Sequence, residues 1–524
     1  MNPDNANRQI ARAAGTVMFA FVLSNLIGLF RQILISRAFG TDAALDAFYA
    51  ASTYPDLIFN LVAGGALSSA FIPTFTGLIA KEERAAAWKL ASSIVNLILV
   101  VLSLLSIVSA IFAPQIIRCV LARGFPAGQQ ALAASLLRIL LIAPAIFGVS
   151  GLLMGILNTH QRFLLPGLAP SMYWIGMIFG VIFLVPCMGI FGLAWGAVLG
   201  AAFHLAVQIP DLLKLPAIRY LPSLGLDNPA VREVGRLMGP RLLGVAVVQL
   251  NFVVNVSIAS GLPEGSLSAI KNAWMIMTMP QVVIAQAIAI AALPTFSAQV
   301  ARGQHGEMRS SLAATLRGVI LLSLPATIGL ILLSKPVIAA LLQRGAFDAH
   351  STDLVAWALL WYTAGLVGHS IVEILSRAFY ALHDTKTPVL VGSIAMGLNV
   401  VFSFGFAWLF TQVGWMPHGG LALANSLATA LEGTALFVLM RRRLEGIEGA
   451  SVADGTLRAA VASLGMGIGL MVWVQLFGSL NRWLVALGGV ALGGLIYALG
   501  MWILKVPEIK MLTHAVSSRL KRLA

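Results

Sequence analysis

A small set of charged and amide residues interrupts long apolar runs in this sequence, and these are the side chains able to do chemistry. Arg31 stands in "GLFRQILISRAFG". Asp46 and Asp56 follow in the next apolar run, with Asn60 one turn after Asp56. Asn255 sits in "VVNVSIAS", and Lys271 with Asn272 opens "SAIKNAWMIMTMP". Arg138, Glu373, Arg377 and Glu432 lie in similar surroundings. An ionisable group at membrane depth costs several kcal/mol and usually faces a cavity or a partner. Arg31, Asp46, Asn60, Asn255, Lys271 and Asn272 are therefore candidate cavity residues. Arg31 and Asp46, on neighbouring helices, are expected either to pair or to touch a substrate. Lys271 has a second reading, as a side chain that snorkels to the outer interface. Glu373 and Arg377 are four apart, which puts them on one helix face as a structural ion pair. His204 and His369 are expected to satisfy interhelical hydrogen bonds rather than to carry protons.

No catalytic constellation accompanies these residues. There is no GxxxxGK[ST] phosphate loop, no HExxH and no glycine-rich dinucleotide loop. The two cysteines, Cys119 and Cys187, have no metal-binding spacing and read as small apolar fillers. The expectation is a protein that is not an enzyme, with no metal and no cofactor. Driving energy, if needed, would come from an ion gradient, the membrane potential or substrate consumption.

The elements that must position the polar residues are membrane spans. Of the 524 residues, 59% are hydrophobic and 10% charged. Soluble domains carry about 25% charged residues. Apolar runs of about 18 residues or more, enough for a hydrocarbon core of about 30 Å, recur along the whole chain. Fourteen spans are expected, near 13–35, 43–66, 88–113, 131–156, 167–186, 190–213, 239–260, 268–293, 312–333, 354–381, 387–411, 419–440, 457–477 and 483–504. The second, eighth and tenth carry the most polar residues. The polar start followed by a long apolar run reads as a retained first helix and not a removed signal. The stretch 215–237 reads as a cytoplasmic linker with a short interfacial helix, and "EIKMLTHAVSSRLKRL" as an amphipathic tail lying on the membrane surface.

The net charge of +14 would suggest nucleic acid in a soluble protein, but its distribution argues otherwise. With the amino terminus in the cytoplasm, 24 of the 34 Lys and Arg residues fall on the cytoplasmic side. Only Arg37, Arg118, Arg123, Lys335, Arg344 and Arg482 fall on the other side. That asymmetry is the positive-inside pattern, with both termini cytoplasmic and the basic face against anionic headgroups. Membrane lipids are thus expected partners, and nucleic acid is not.

The chain also repeats itself. "AFIPTF" ending at Phe75 returns as "AALPTF" ending at Phe296, and "LARG" ending at Gly124 returns as "LQRG" ending at Gly345. "HQRFLLP" and "HDTKTP" then end at Pro166 and Pro388. The offset is about 221 residues. It divides the chain into a six-helix lobe with the start of a linker (1–222), a second six-helix lobe (223–444), and two last helices with a tail (445–524). Six is even, so the lobes form a parallel repeat related by an axis along the membrane normal. Such bundles suit alternating access around a central cavity.

The stretches "GLFRQILISRAFGTDAALDAFYAA", "AGGALSSAFIPTF", "GILNTHQRFLLPGLAP" and "LSRAFYALHDTKTPV" resemble the MurJ/MviN family of lipid II flippases in the MOP transporter superfamily. The resemblance covers nearly the whole chain. It implies an all-α polytopic fold of fourteen helices in two pseudosymmetric lobes, whose last two helices line a groove for a polyprenyl tail. It implies a lipid-linked glycan substrate, undecaprenyl-pyrophosphate-linked disaccharide pentapeptide, moved to the outer leaflet of the bacterial inner membrane. Cell-wall synthesis or division proteins are the further partners it implies. Arg31 matches a family arginine and Asp46 the family acid. Asn25, Phe59 and Met275 stand where the family has arginines, Gln32 and Gly64 where it has acids. Asn25 joins the candidate cavity residues on that basis, and Lys271, one turn before Met275, is a candidate replacement charge. These departures leave two alternatives: a divergent exporter of another amphiphile or a cation, and a non-transporting scaffold paralogue.

Overall fold

The computed structural model describes residues 3–61, 68–216 and 218–506. Gly64 and the C-terminal amphipathic tail lie outside them. The chain falls into two units, Met1–Leu267 and Ser268–Ala524. Among the described residues the secondary structure is helical throughout.

In the first unit the helices are α1 (Pro3–Phe39), α2 (Ala43–Phe59), α3 (Ser68–Ala80), α4 (Arg84–Ile111), α5 (Ala113–Ile116), α6 (Ala127–Leu140), α7 (Ala143–Thr159), α8 (Leu164–Phe179), α9 (Val185–Met188), α10 (Ile190–Ala206), α11 (Ile209–Leu213) and α12 (Pro229–Ser260). The remaining helices are α13 (Ser266–Gln281), α14 (Ala287–Ala301), α15 (His305–Leu332), α16 (Ser334–Leu341), α17 (Ala349–Ala364), α18 (Leu366–Ala381), α19 (Lys386–Val413), α20 (His418–Arg443), α21 (Gly449–Phe477) and α22 (Arg482–Ile503). Among the described residues, eleven helical stretches are long and apolar enough to cross a membrane. The pair α17 and α18, bent by 45° at Gly365, brings the count to twelve if it is one span. The protein is a multi-span membrane protein. The expected spans near 43–66 and 239–260 fall in α2 and in α12. Helix α2 has 17 residues before the undescribed stretch 62–67, and α12 carries polar residues along its first half.

One expectation needs correction. Arg232 and Arg236 do not belong to a separate interfacial helix. They are exposed on the first turns of α12, which runs 32 residues without a break. Asn228 caps it by accepting from the Ala230 amide at 3.0 Å, and Pro229 follows at its first position. The preceding linker is strapped to α4 by side chains. Asn96 Nδ2 donates to the Leu221 and Ser223 carbonyls at 3.0 and 2.9 Å, and Tyr220 donates to Asn96 Oδ1 at 2.6 Å.

The sequence repeat has a backbone counterpart. Helices α4 and α15 both run 28 residues, from Arg84 and from His305. Before each, the chain turns through a left-handed residue, Glu82 (φ 63°) and Gly303 (φ 70°). The following amide bonds five residues back in both places, Glu83 to Leu78 and Gln304 to Gln299. This is a Schellman helix end. Gln161 and His383, both at φ 57°, close α7 and α18 in the same way. Each copy of "PTF" places its proline inside a helix and its phenylalanine in a core. Phe75 is fully buried and stacks with Phe71 at 5.1 Å. Phe296, 1% exposed, lies among Met308, Leu312 and Phe379. In the second unit α21 and α22 pack on α15 and α16.

In the first unit α8 runs along α1 on one side and α10 on the other. Its approach to α10 is made by glycines. A Cβ on Gly176 would come within 2.2 Å of the Gly200 Cα, and one on Gly180 within 2.6 Å of the Gly196 Cα. Small residues at this spacing let backbones meet where a side chain would hold them apart.

Candidate functional site

Arg31 lies on α1, one turn after Gly28. Its guanidinium carbon sits 4.1 Å above the ring of Trp174 on α8. Gly28 leaves room for that ring, since a Cβ there would touch the indole nitrogen at 3.4 Å. One turn beyond Trp174, the Met177 sulfur accepts from Arg31 Nη1 at 3.7 Å. Arg31 Nη2 donates to Gln32 Oε1 at 3.0 Å. The Gln32 amide nitrogen donates in turn to the Tyr49 hydroxyl on α2 at 2.8 Å. The guanidinium is thus gripped by an aromatic face, an amide oxygen and a thioether, none of which is charged. The Arg31 Nε–H is buried without a protein acceptor. A guanidinium offers five donors, so this grip leaves capacity for an anion.

The aromatic side of the site continues across the first unit. Trp174 packs on Tyr173 at 4.8 Å, Tyr173 on Phe147 at 5.1 Å, and Phe147 on His204 at 5.2 Å. His204 Nδ1 lies 2.6 Å from Ser150 Oγ, which also accepts from Gln208 at 2.6 Å. His204 is therefore engaged in a hydrogen-bond network between α7 and α10.

Arg31 and Asp46 point to different partners. Arg31 turns to α8, whereas Asp46, 2% exposed, accepts from the Gly265 amide at 2.9 Å. The neighbouring Glu264 accepts from the Ala43 amide at 2.9 Å, so the loop before α13 and the start of α2 cap each other. Between them Asp42 accepts from the Leu45 amide at 2.8 Å. Burial pushes its carboxyl above the usual range, and the Glu264 charge adds to that shift. Asn25 is exposed and donates to the Phe21 carbonyl of its own helix at 2.8 Å. Asn60 sits half-buried just past α2. Asn255 donates to the Asn251 carbonyl at 2.9 Å and to its side chain at 3.1 Å.

In the second unit Lys271 is half-buried on α13, and Asn272, fully buried, donates to the Ser268 carbonyl at 3.0 Å. Trp274, on the same helix, meets Tyr362 at 5.3 Å and His369 at 5.6 Å. His369 Nε2 faces Asn425 Oδ1 at 3.1 Å. Glu373 and Arg377 form an ion pair at 2.7 Å on α18. The residues that sequence reading missed are Tyr49, Trp174 and Met177, while Gln32 was noted only as a departure from the family pattern. Gly28 and Arg31 share a face at i and i+3, as do Trp174 and Met177. Aromatic and thioether residues in an apolar helix nevertheless look like ordinary core.

The site thus belongs to a multi-span helical membrane protein, in which an arginine on an apolar helix is held by neutral groups. The family model described as "Lipid II flippase MurJ" matches residues 35–487. The lipid II flippase MurJ of Burkholderia cenocepacia is 33% identical over 472 residues, covering 88% of this chain and 89% of that protein. A solved structure of lipid II flippase MurJ in an inward closed conformation superposes with a TM-score of 0.80 at 24% identity, covering 94% of this chain and 99% of that one. An inward-facing multidrug resistance MATE family transporter of the MOP superfamily superposes with a TM-score of 0.67 at 17% identity, covering 80% and 94%. The chain belongs to the lipid II flippase MurJ family, and is a transporter and not an enzyme.

Proposed function

We propose that this chain moves lipid II, a polyprenyl-pyrophosphate-linked peptidoglycan precursor, from the cytoplasmic to the outer leaflet of the bacterial inner membrane by alternating access. The observation that carries the reading is the family match across 35–487; just ahead of it, the buried Arg31 Nε–H has no protein acceptor and supports an anion-binding role. A pyrophosphate needs charge-assisted donors, and a guanidinium meets two of its oxygens at once. Inside an apolar fold that interaction is stronger than in water. In the first unit Asp46, Asn25, Asn60 and Asn255 are the further proposed polar site residues, and in the second unit Lys271 and Asn272. The proposed topology has fourteen crossings: six in 1–222, six in 223–444, and two in 445–524. Both termini are cytoplasmic. Cell-wall synthesis or division proteins are the proposed partners at that face.

The test uses vesicles containing fluorescent lipid II, with and without the purified chain. An outside quencher should reach lipid that was confined to the inner leaflet only when the protein is present. Equal quenching in both preparations rejects the function. Restored growth of cells depleted of their own flippase separates lipid II transport from export of another amphiphile or a scaffolding role.

A further inference from the structure

We propose that Trp174 is the positioning residue of Arg31, with Gln32 and Tyr49 fixing its second edge, so that the guanidinium is presented as a cation to a diphosphate group. The proposal rests on the transport reading above and adds to it the residues that aim the charge.

The guanidinium carbon lies over the Trp174 ring, 4.1 Å from its centroid. A cation–π contact of this kind holds the charge without a hydrogen-bond acceptor. Gln32 takes one Nη2 proton at 3.0 Å. Because its amide nitrogen is committed to Tyr49 at 2.8 Å, its oxygen is the atom left facing Arg31. Met177 accepts only weakly, at 3.7 Å to sulfur. A carboxylate in the place of Trp174 would orient the arginine but neutralise it. An indole orients it and leaves the charge in place.

Two features of the fold are explained by this arrangement. Gly28 stands against the indole, where a Cβ would lie in van der Waals contact with it at 3.4 Å. Gly200 stands where a Cβ would come within 2.4 Å of the Tyr173 carbonyl, next to Trp174 in the chain. The glycine contact between α8 and α10 thus sets the depth of the ring on which Arg31 rests.

The experiment is a double-mutant cycle on the purified full-length chain, with undecaprenyl pyrophosphate and undecaprenol as probes. The wild type should prefer the diphosphate. Trp174→Ala should weaken diphosphate binding about tenfold, the scale of a desolvated cation–π contact, and leave the alcohol unchanged. Trp174→Phe, which keeps an aromatic face, should recover most of the loss. In an Arg31→Ala background Trp174→Ala should have no further effect. The proposal fails if Trp174→Ala weakens both lipids alike, if its effect persists without Arg31, or if the wild type shows no preference. Flipping by the wild type is measured in parallel. Turnover with an additive cycle rejects the positioning role alone, whereas an intact cycle without turnover rejects the transport reading and leaves the positioning role standing.

Discussion

At the scale of single residues, several acids of this chain hold backbone. Asp46 holds the Gly265 amide, Asp42 the start of α2, and Asp348 the start of α17. Asp384 accepts from the Thr387 amide at 3.0 Å and its hydroxyl at 2.8 Å, in the turn before α19. These bonds, backbone first, hold its carboxyl below the usual range. Asp348 is lowered in the same way by the Ser351 amide. The sign follows from linkage. A carboxyl whose folded pKa lies below its unfolded value of about 3.9 stabilises the fold above that pH, and loses the contribution as pH falls through the folded value. Melting temperatures in detergent should therefore drop below about pH 4 in the wild type. Asp384→Ala should melt lower than wild type at neutral pH and converge on it in acid. A constant gap across that range rejects the assignment.

Trp174 shows what a single residue type conceals. In "APSMYWIGMI" it reads as one more large apolar group, and nothing in its spacing names Arg31 as its neighbour. The two are 143 positions apart, and only the packing of α8 on α1 brings them into contact.

At the scale of elements, the tightest constraint is the α8–α10 contact. Gly200→Ala places a methyl within 2.4 Å of a backbone oxygen, so the helices must separate. We expect a loss of about 1–3 kcal/mol, the usual range for overpacking a core. Gly77 on α3 has nothing within 4 Å of its would-be Cβ. Gly77→Ala should therefore stabilise by roughly 0.5–1 kcal/mol, the helix preference of alanine over glycine. Thermal denaturation in one detergent checks both signs; a neutral Gly200→Ala would show that the helices are not in close contact. The helix ends were partly legible. Paired breaks at the repeat offset announced matching turns, but Glu82, Gln161 and His383 take left-handed conformations that sequence reading would assign to glycine. The fourteen expected spans were harder to delimit. Apolar length is a clear signal in α4 or α19 and a poor one in α2 and α12, where polar residues break the run.

At the scale of the whole molecule, the charge asymmetry predicts the direction of insertion. A cysteine replacing Arg442, on the last turn of α20, should react with an impermeant maleimide only from the cytoplasmic side. A cysteine replacing Lys335, at the start of α16, should react only from the outside. The background is the chain with Cys119 and Cys187 changed to serine, since both are exposed. Reaction of both positions from the same face overturns the topology. The two sites bracket the last three expected crossings of the second repeat, so the result also tests whether those crossings alternate as the repeat requires.

Composition and periodicity by themselves determined that this is a helical, multi-span membrane protein with an internal repeat. The bilayer imposes its length and polarity on every segment, and duplication leaves the same residues at one offset. Motif resemblance then pointed to the family. The tertiary structure decided where each polar side chain points: Arg31 onto an indole, Asp46 onto a backbone amide, Asn25 back onto its own helix. Those outcomes depend on which helices touch and at what depth. Contacts between distant segments, such as glycine against glycine, fix that depth, and no local stretch of sequence encodes it.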